Sequence, residues 1–163
     1  MVSYLCDEML SKLARWLRMA GYDVISPRGL TDRELNQISV SEGRVLLTRD
    51  RDLSNMKGIE SLLVRSDDLV TQLAEVFESY PVNDNPPGKS RCPVCNGELV
   101  SIRKSDLERK DEMNIPTKVM ENQSLFLICS ECSKIYWYGT HWEGITSILK
   151  EHGLMPEDFQ IPP

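Results

Sequence analysis

The sequence predicts an α/β protein: a mainly parallel sheet flanked by helices, followed by a small C-terminal zinc ribbon. Three observations carry this reading. Short apolar runs alternate with amphipathic stretches through residues 1–80, the pattern of βαβ units. PVNDNPPGKS, residues 81–90, then breaks the pattern with three prolines and a glycine and little to bury. Beyond it, CPVC (92–95) and CSEC (129–132) place four of the five cysteines in two pairs, 33 residues apart. The expected organisation is therefore a sheet domain at 1–80, a linker at 81–90 and a ribbon with a closing helix at 91–163.

The elements follow in order. VSYLC (2–6) suits a buried strand. In DEMLSKLARWLRMAG, Met9, Leu10, Leu13, Leu17 and Ala20 keep helical spacing, with Gly21 as the cap. DVIS (23–26) reads as a second strand. TDRELNQISVSEG opens on a capping box, Thr31 with Glu34, and closes on Gly43. RVLLT (44–48) and SLLV (61–64) are the third and fourth strands. DDLVTQLAEVFESY makes a helix with Leu69, Leu73, Val76 and Phe77 inward. In the ribbon, GELVSI, SLFLIC and KIYWYG read as strands and HWEGITSILKEHG as the last helix.

Composition narrows the function classes. Forty per cent hydrophobic and 27% charged residues describe a globular chain. No apolar run is long enough for a membrane helix. MVSYLCDEM lacks the basic and apolar regions of a signal peptide, so a cytoplasmic location is expected. The net charge is −6, divided evenly as −3 in 1–80 (10 basic, 13 acidic) and −3 in 81–163 (9 basic, 12 acidic). A chain of this sign is not a general electrostatic binder of nucleic acid. Contact with nucleic acid would need local basic patches, a metal-neutralised acidic site, or both.

The paired cysteines are the sharpest motif. Each CxxC turn sets two sulfurs about 3.5 to 4 Å apart, and two turns complete a tetrahedral zinc site. Cys92, Cys95, Cys129 and Cys132 would fill every position, so the Zn²⁺ is structural and leaves no place for water. Cys6 lies within the first strand and reads as a small buried hydrophobe.

Acids gather by topology. Ligands in parallel sheets sit at the carboxyl ends of strands, where Asp7 follows strand one and Asp50 and Asp52 follow strand three. Asp32 starts the helix feeding strand three, and Glu8 is a further candidate. Singly, Asp7 is an ordinary N-cap, Asp32 a first-turn acid and Asp50 a turn former. Together they suit a hard divalent ion, Mg²⁺ or Mn²⁺, because clustered carboxylates repel one another without a cation. Lys12, Arg15 and Arg18 recur along helix one, and Arg49 and Arg51 interleave with the aspartates. Lys12 and Arg15 suit phosphate contacts, while Arg18 reads as part of a solvated face.

LCDEMLSKLARWLRMAGYDV, TDREL, GRVLLTRDRDL and CPVCNG…CSECSKIYWYGTHW resemble the Mut-seven C-terminal RNase domain family across nearly the whole chain. The resemblance implies a PIN-like nuclease domain with an appended zinc ribbon, cleaving RNA at clustered acids that bind Mg²⁺ or Mn²⁺. It maps the first-strand acid to Asp7, the TRDRDL acids to Asp50 and Asp52, and the helix-borne acid to Asp32, with Glu34 as its alternative. Arg49 and Arg51 join Lys12 and Arg15 as substrate contacts. Neither His141 nor His152 is needed. YWYGTHW is either a base-stacking platform or, as is commoner in ribbons, a run alternating between core and surface. Two rivals remain: a phosphoacceptor domain, which would need a fifth strand ending in lysine, and a non-catalytic RNA- or protein-binding adaptor.

Overall fold

Strands β1 (Tyr4–Cys6), β2 (Val24–Ile25), β3 (Val45–Thr48) and β4 (Ser61–Leu63) form one sheet in the order β2-β1-β3-β4. Every pairing is parallel, and β1 and β3 are neighbours, Leu5 opposite Leu46 and Cys6 opposite Leu47. These coordinates come from a computed structural model that describes residues 2–81, 88–108, 111, 114–137, 139, 147 and 150. The chain divides into two compact units, Met1–Asn96 and Gly97–Pro163.

In the first unit the central strands are buried throughout, as expected where a parallel sheet is covered on both faces. On one face Leu5 and Leu46 pack with Leu35 of α2 (Asp32–Glu42) and Leu53 of the short α3 (Arg51–Ser54). The opposite side chains of β1 meet an aromatic cluster, in which the Tyr4 ring lies 5.9 Å from Tyr22 and 5.8 Å from Tyr80. Tyr22 in turn lies 5.5 Å from Phe77 on α4 (Leu69–Ser79). Leu13, Ala14 and Leu17 of α1 (Ser11–Met19), with Leu73 and Val76 of α4, are fully buried. Leu69, expected inward, is half-buried.

The predicted stop signals are present. Thr31 and Glu34 form a reciprocal capping box, and Gly43 closes α2 in the left-handed conformation at φ 62°. Gly21 follows the last residues of α1 at φ 97°; its carbonyl accepts from Gly88 N–H at 3.1 Å, and a Cβ would strike the Gly88 backbone. Two expectations need correction. Met9 is 66% exposed, because Glu8–Leu10 is a 3-10 turn and α1 begins only at Ser11. A turn of three residues rotates position 9 off the face defined by Leu13 and Leu17. Arg18 is not solvated but buried, for reasons given below.

Among its described residues the second unit holds a three-stranded antiparallel sheet, β5 (Leu99–Arg103), β6 (Leu125–Cys129) and β7 (Ile135–Tyr136), with β6 central. Phe126 and Leu127 of β6 are buried, and the short helix α5 spans Thr117–Asn122. Residues 82–87 of the expected linker lie outside the described residues, as do His141, His152 and nearly all of the expected closing helix. No helix among the described residues is long and apolar enough to cross a membrane.

Candidate functional site

The carboxyl ends of β1 and β3 bring Asp7 and Asp50 to one edge, joined through Thr48. Asp7 is buried, and its N–H donates to Leu47 O at 3.1 Å, in step with the sheet. Its Oδ1 accepts from Leu10 N–H at 3.2 Å and caps the 3-10 turn. Its Oδ2 accepts from the Thr48 hydroxyl and from Arg49 N–H at 3.3 Å. The Thr48 oxygen then accepts from Asp50 N–H at 3.0 Å. Asp50 Oδ1 accepts from Asp52 N–H at 2.7 Å and Leu53 N–H at 3.1 Å, starting α3. A hydrogen-bonded path therefore runs from the Asp7 carboxylate through the Thr48 hydroxyl to the backbone N–H of Asp50, and both aspartates are N-caps as well as edge acids.

The remaining acids differ in their commitments. Asp52, in the first turn of α3, and Asp32, the first residue of α2, are exposed. Glu34 is occupied locally: its Oε2 accepts from Thr31 N–H at 2.8 Å and the Thr31 hydroxyl at 2.7 Å. Those two hydrogen bonds, the backbone one first, hold its pKa below the usual carboxylate range. Glu8 accepts from Gly29 N–H at 3.5 Å. Among the described residues, no three carboxylates bring oxygens as close as the cysteine sulfurs come. Mg²⁺ is commonly held by only one or two carboxylates plus water and substrate oxygens, so the Asp7–Asp50 pair fits such an ion in ligand type and number.

Lys12 and Arg15 are exposed on α1. Arg49 forms an ion pair with the exposed Asp67, and Arg51 is exposed at the start of α3. Sequence reasoning missed Thr48 and Asp67. Asp67 follows β4, so the strand-end rule that singled out Asp7 and Asp50 also reaches it. Thr48 had no such signal. Cys6 is fully buried; that burial, then the charge of Asp7, pushes its thiol pKa well up, as befits an inert packing residue.

The cysteine pairs do meet. One Sγ from each of Cys92, Cys95, Cys129 and Cys132 lies within 4.8 Å of the others, close to the spacing of about 3.8 Å that a tetrahedral Zn–S₄ centre sets. Both turns close alike: Asn96 N–H donates to Cys92 O at 2.9 Å and Ser133 N–H to Cys129 O at 3.0 Å. Asn96 and Ser133 are left-handed, at φ 71° and 56°. At Gly97 a Cβ would stand 2.8 Å from Cys129 Sγ, so a side chain there would crowd the sulfur. Four cysteines in this arrangement fit a zinc ribbon.

No curated protein and no solved structure matches the chain. The family model described as "Mut7-C RNAse domain" matches residues 2–149, a span that holds both the acidic edge and all four clustered cysteines. The chain belongs to the Mut7-C RNAse domain family.

Proposed function

We propose that the protein is a PIN-like, metal-dependent ribonuclease, its nuclease domain at 1–80 and its ribbon at 91–163. Family membership supports a nuclease-like function with RNA as substrate or partner. The observation that carries the finer reading is the hydrogen-bonded path Asp7–Thr48–Asp50 at the carboxyl edge of the sheet. Asp7 and Asp50 would hold Mg²⁺ or Mn²⁺, with Asp52 and Asp32 as the further acids that the family resemblance maps to the site. Glu34 is the weaker candidate for the helix-borne role because Thr31 already engages it. An ion held there supplies Lewis acidity toward water and toward the scissile phosphate.

The protein's own groups do the rest. Asp7 and Asp50 enter as fixed ligands, each oriented by backbone N–H donors before any ion arrives. Lys12, Arg15 and Arg51 face solvent and are available to flanking phosphates. Arg49 must exchange Asp67 for phosphate to do the same. The four cysteines would hold a structural Zn²⁺. The phosphoacceptor alternative gains nothing, since among the described residues the parallel sheet has four strands.

The test is direct. Purified protein is incubated with structured and single-stranded RNAs in Mn²⁺, Mg²⁺ or EDTA, beside Asp7→Asn and Asp50→Asn. The expected result is cleavage with a divalent ion, none in EDTA and none by either folded variant. RNA bound but uncut in all conditions would favour the adaptor.

A further inference from the structure

Arg18 is a buried cation that the proposed chemistry does not use. A guanidinium out of water is costly unless its donors find acceptors, and here Nε and one terminal nitrogen both do. Its Nε donates to Val24 O at 2.7 Å, and one terminal nitrogen donates to Pro93 O at 3.0 Å and Val94 O at 3.3 Å. Pro93 and Val94 are the two residues between Cys92 and Cys95, so helix α1 grips the first cysteine turn by its carbonyls. Asn96, which closes the same turn, ties it to β2 and the residue before it. Its Oδ1 accepts from Val24 N–H at 3.0 Å and its Nδ2 donates to Asp23 Oδ1 at 2.7 Å. Among the described residues the Ser133 side chain, which follows the second cysteine turn, makes no hydrogen bond of this kind.

We infer that Arg18 and Asn96 are positioning residues for the zinc centre, holding the Cys92–Cys95 turn in its metal-binding shape on α1 and β2. The inference rests on the zinc reading of the four cysteines. Its physical basis is preorganisation: the fold of the first unit has already met the ordering cost of two ligands, so zinc need not. Groups that orient metal ligands from behind typically change affinity 10–100-fold. Linkage makes the effect mutual, because zinc should in turn steady the β2 edge that Asn96 holds.

Full-length wild type, Arg18→Met and Asn96→Gly are stripped of metal and titrated with zinc against a chromophoric chelator. Methionine keeps the length of the buried side chain, and glycine keeps the left-handed backbone at 96. Each variant should bind zinc about tenfold more weakly and gain less in Tm on adding zinc. In wild type, the Val24 amide should exchange faster once zinc is removed. If Arg18→Met fails to fold, Asn96→Gly and wild-type exchange decide the matter. Variants with wild-type zinc affinity, or a Val24 amide indifferent to zinc, would overturn the inference while leaving the zinc centre standing. A wild type that takes up no zinc would overturn both.

Discussion

Thr48 is where the two candidate acids are physically joined, and its loss has a readable signature. Thr48→Val keeps the shape of a fully buried residue but strips a donor from Asp7 and an acceptor from Asp50 N–H. We expect a loss of about 1–3 kcal/mol in urea denaturation and a fall in cleavage, both largely restored in Thr48→Ser. Asp50 separates its two duties by a different pair of substitutions. Asparagine caps a helix nearly as well as aspartate, so Asp50→Asn should end cleavage at little cost in stability. Asp50→Ala should cost about 1 kcal/mol more, measured by the same denaturation. That Asp7 and Asp50 share one edge was legible, because both follow neighbouring strands of a parallel sheet. Thr48 was not, because a threonine closing VLLT reads as one more β-branched strand residue. Cap and site, which the sequence posed as alternatives, need not compete: Asp50 caps through Oδ1, and the ion proposed here would be held by the remaining lone pairs.

At the scale of elements, the four strands, α2 and α4 were legible from periodicity and capping signals. Helix α1 was read correctly in its middle and misread at both ends. Met9 escaped because hydrophobic spacing does not reveal a 3-10 start. Arg18 escaped because two of its three partners lie 75 and 76 residues away, beyond the reach of any local pattern. The β2 edge offers a pH test. Burial raises the pKa of Asp23, but hydrogen bonds from Arg44 and Asn96 and the charges of Arg44 and Arg91 outweigh it and leave it lowered. The Arg44 contacts are 2.9 and 3.2 Å. A depressed carboxylate stabilises the fold above its unfolded pKa of about 3.9, and that contribution fades as pH falls through the folded value. Asp23→Asn should therefore flatten the acid limb of stability against pH, below about pH 4, when unfolding is followed across pH 2 to 7.

For the whole molecule, net charge sets the terms on which RNA can approach. At −6 overall, the chain offers phosphate no attractive long-range field. Binding of an uncleavable phosphorothioate RNA should consequently tighten when Mn²⁺ replaces EDTA, and the gain should shrink in Asp7→Asn. Lys12→Ala should weaken that binding across sequences and reduce the slope of log K against log salt by about one. Filter binding at several salt concentrations measures both. RNA held equally well in EDTA would mean that the acidic edge is not where RNA binds.

The grip on the first cysteine turn also bears on how this protein can be dissected. PVNDNPPGKS looks like the natural place to cut, yet residues at its far end and just beyond it close the first unit. Gly88 N–H binds Gly21 O, the Ser90 hydroxyl binds Met19 O, and Arg91 N–H binds Arg18 O at 2.8 Å. A fragment ending at Tyr80 would strip those carbonyls, the Val24 amide and two of the Arg18 hydrogen bonds of their partners. One ending at Asn96 would keep them all. The shorter piece should express as the poorer protein, although it contains every residue of the candidate active site: the excisable module is longer than the chemistry it carries.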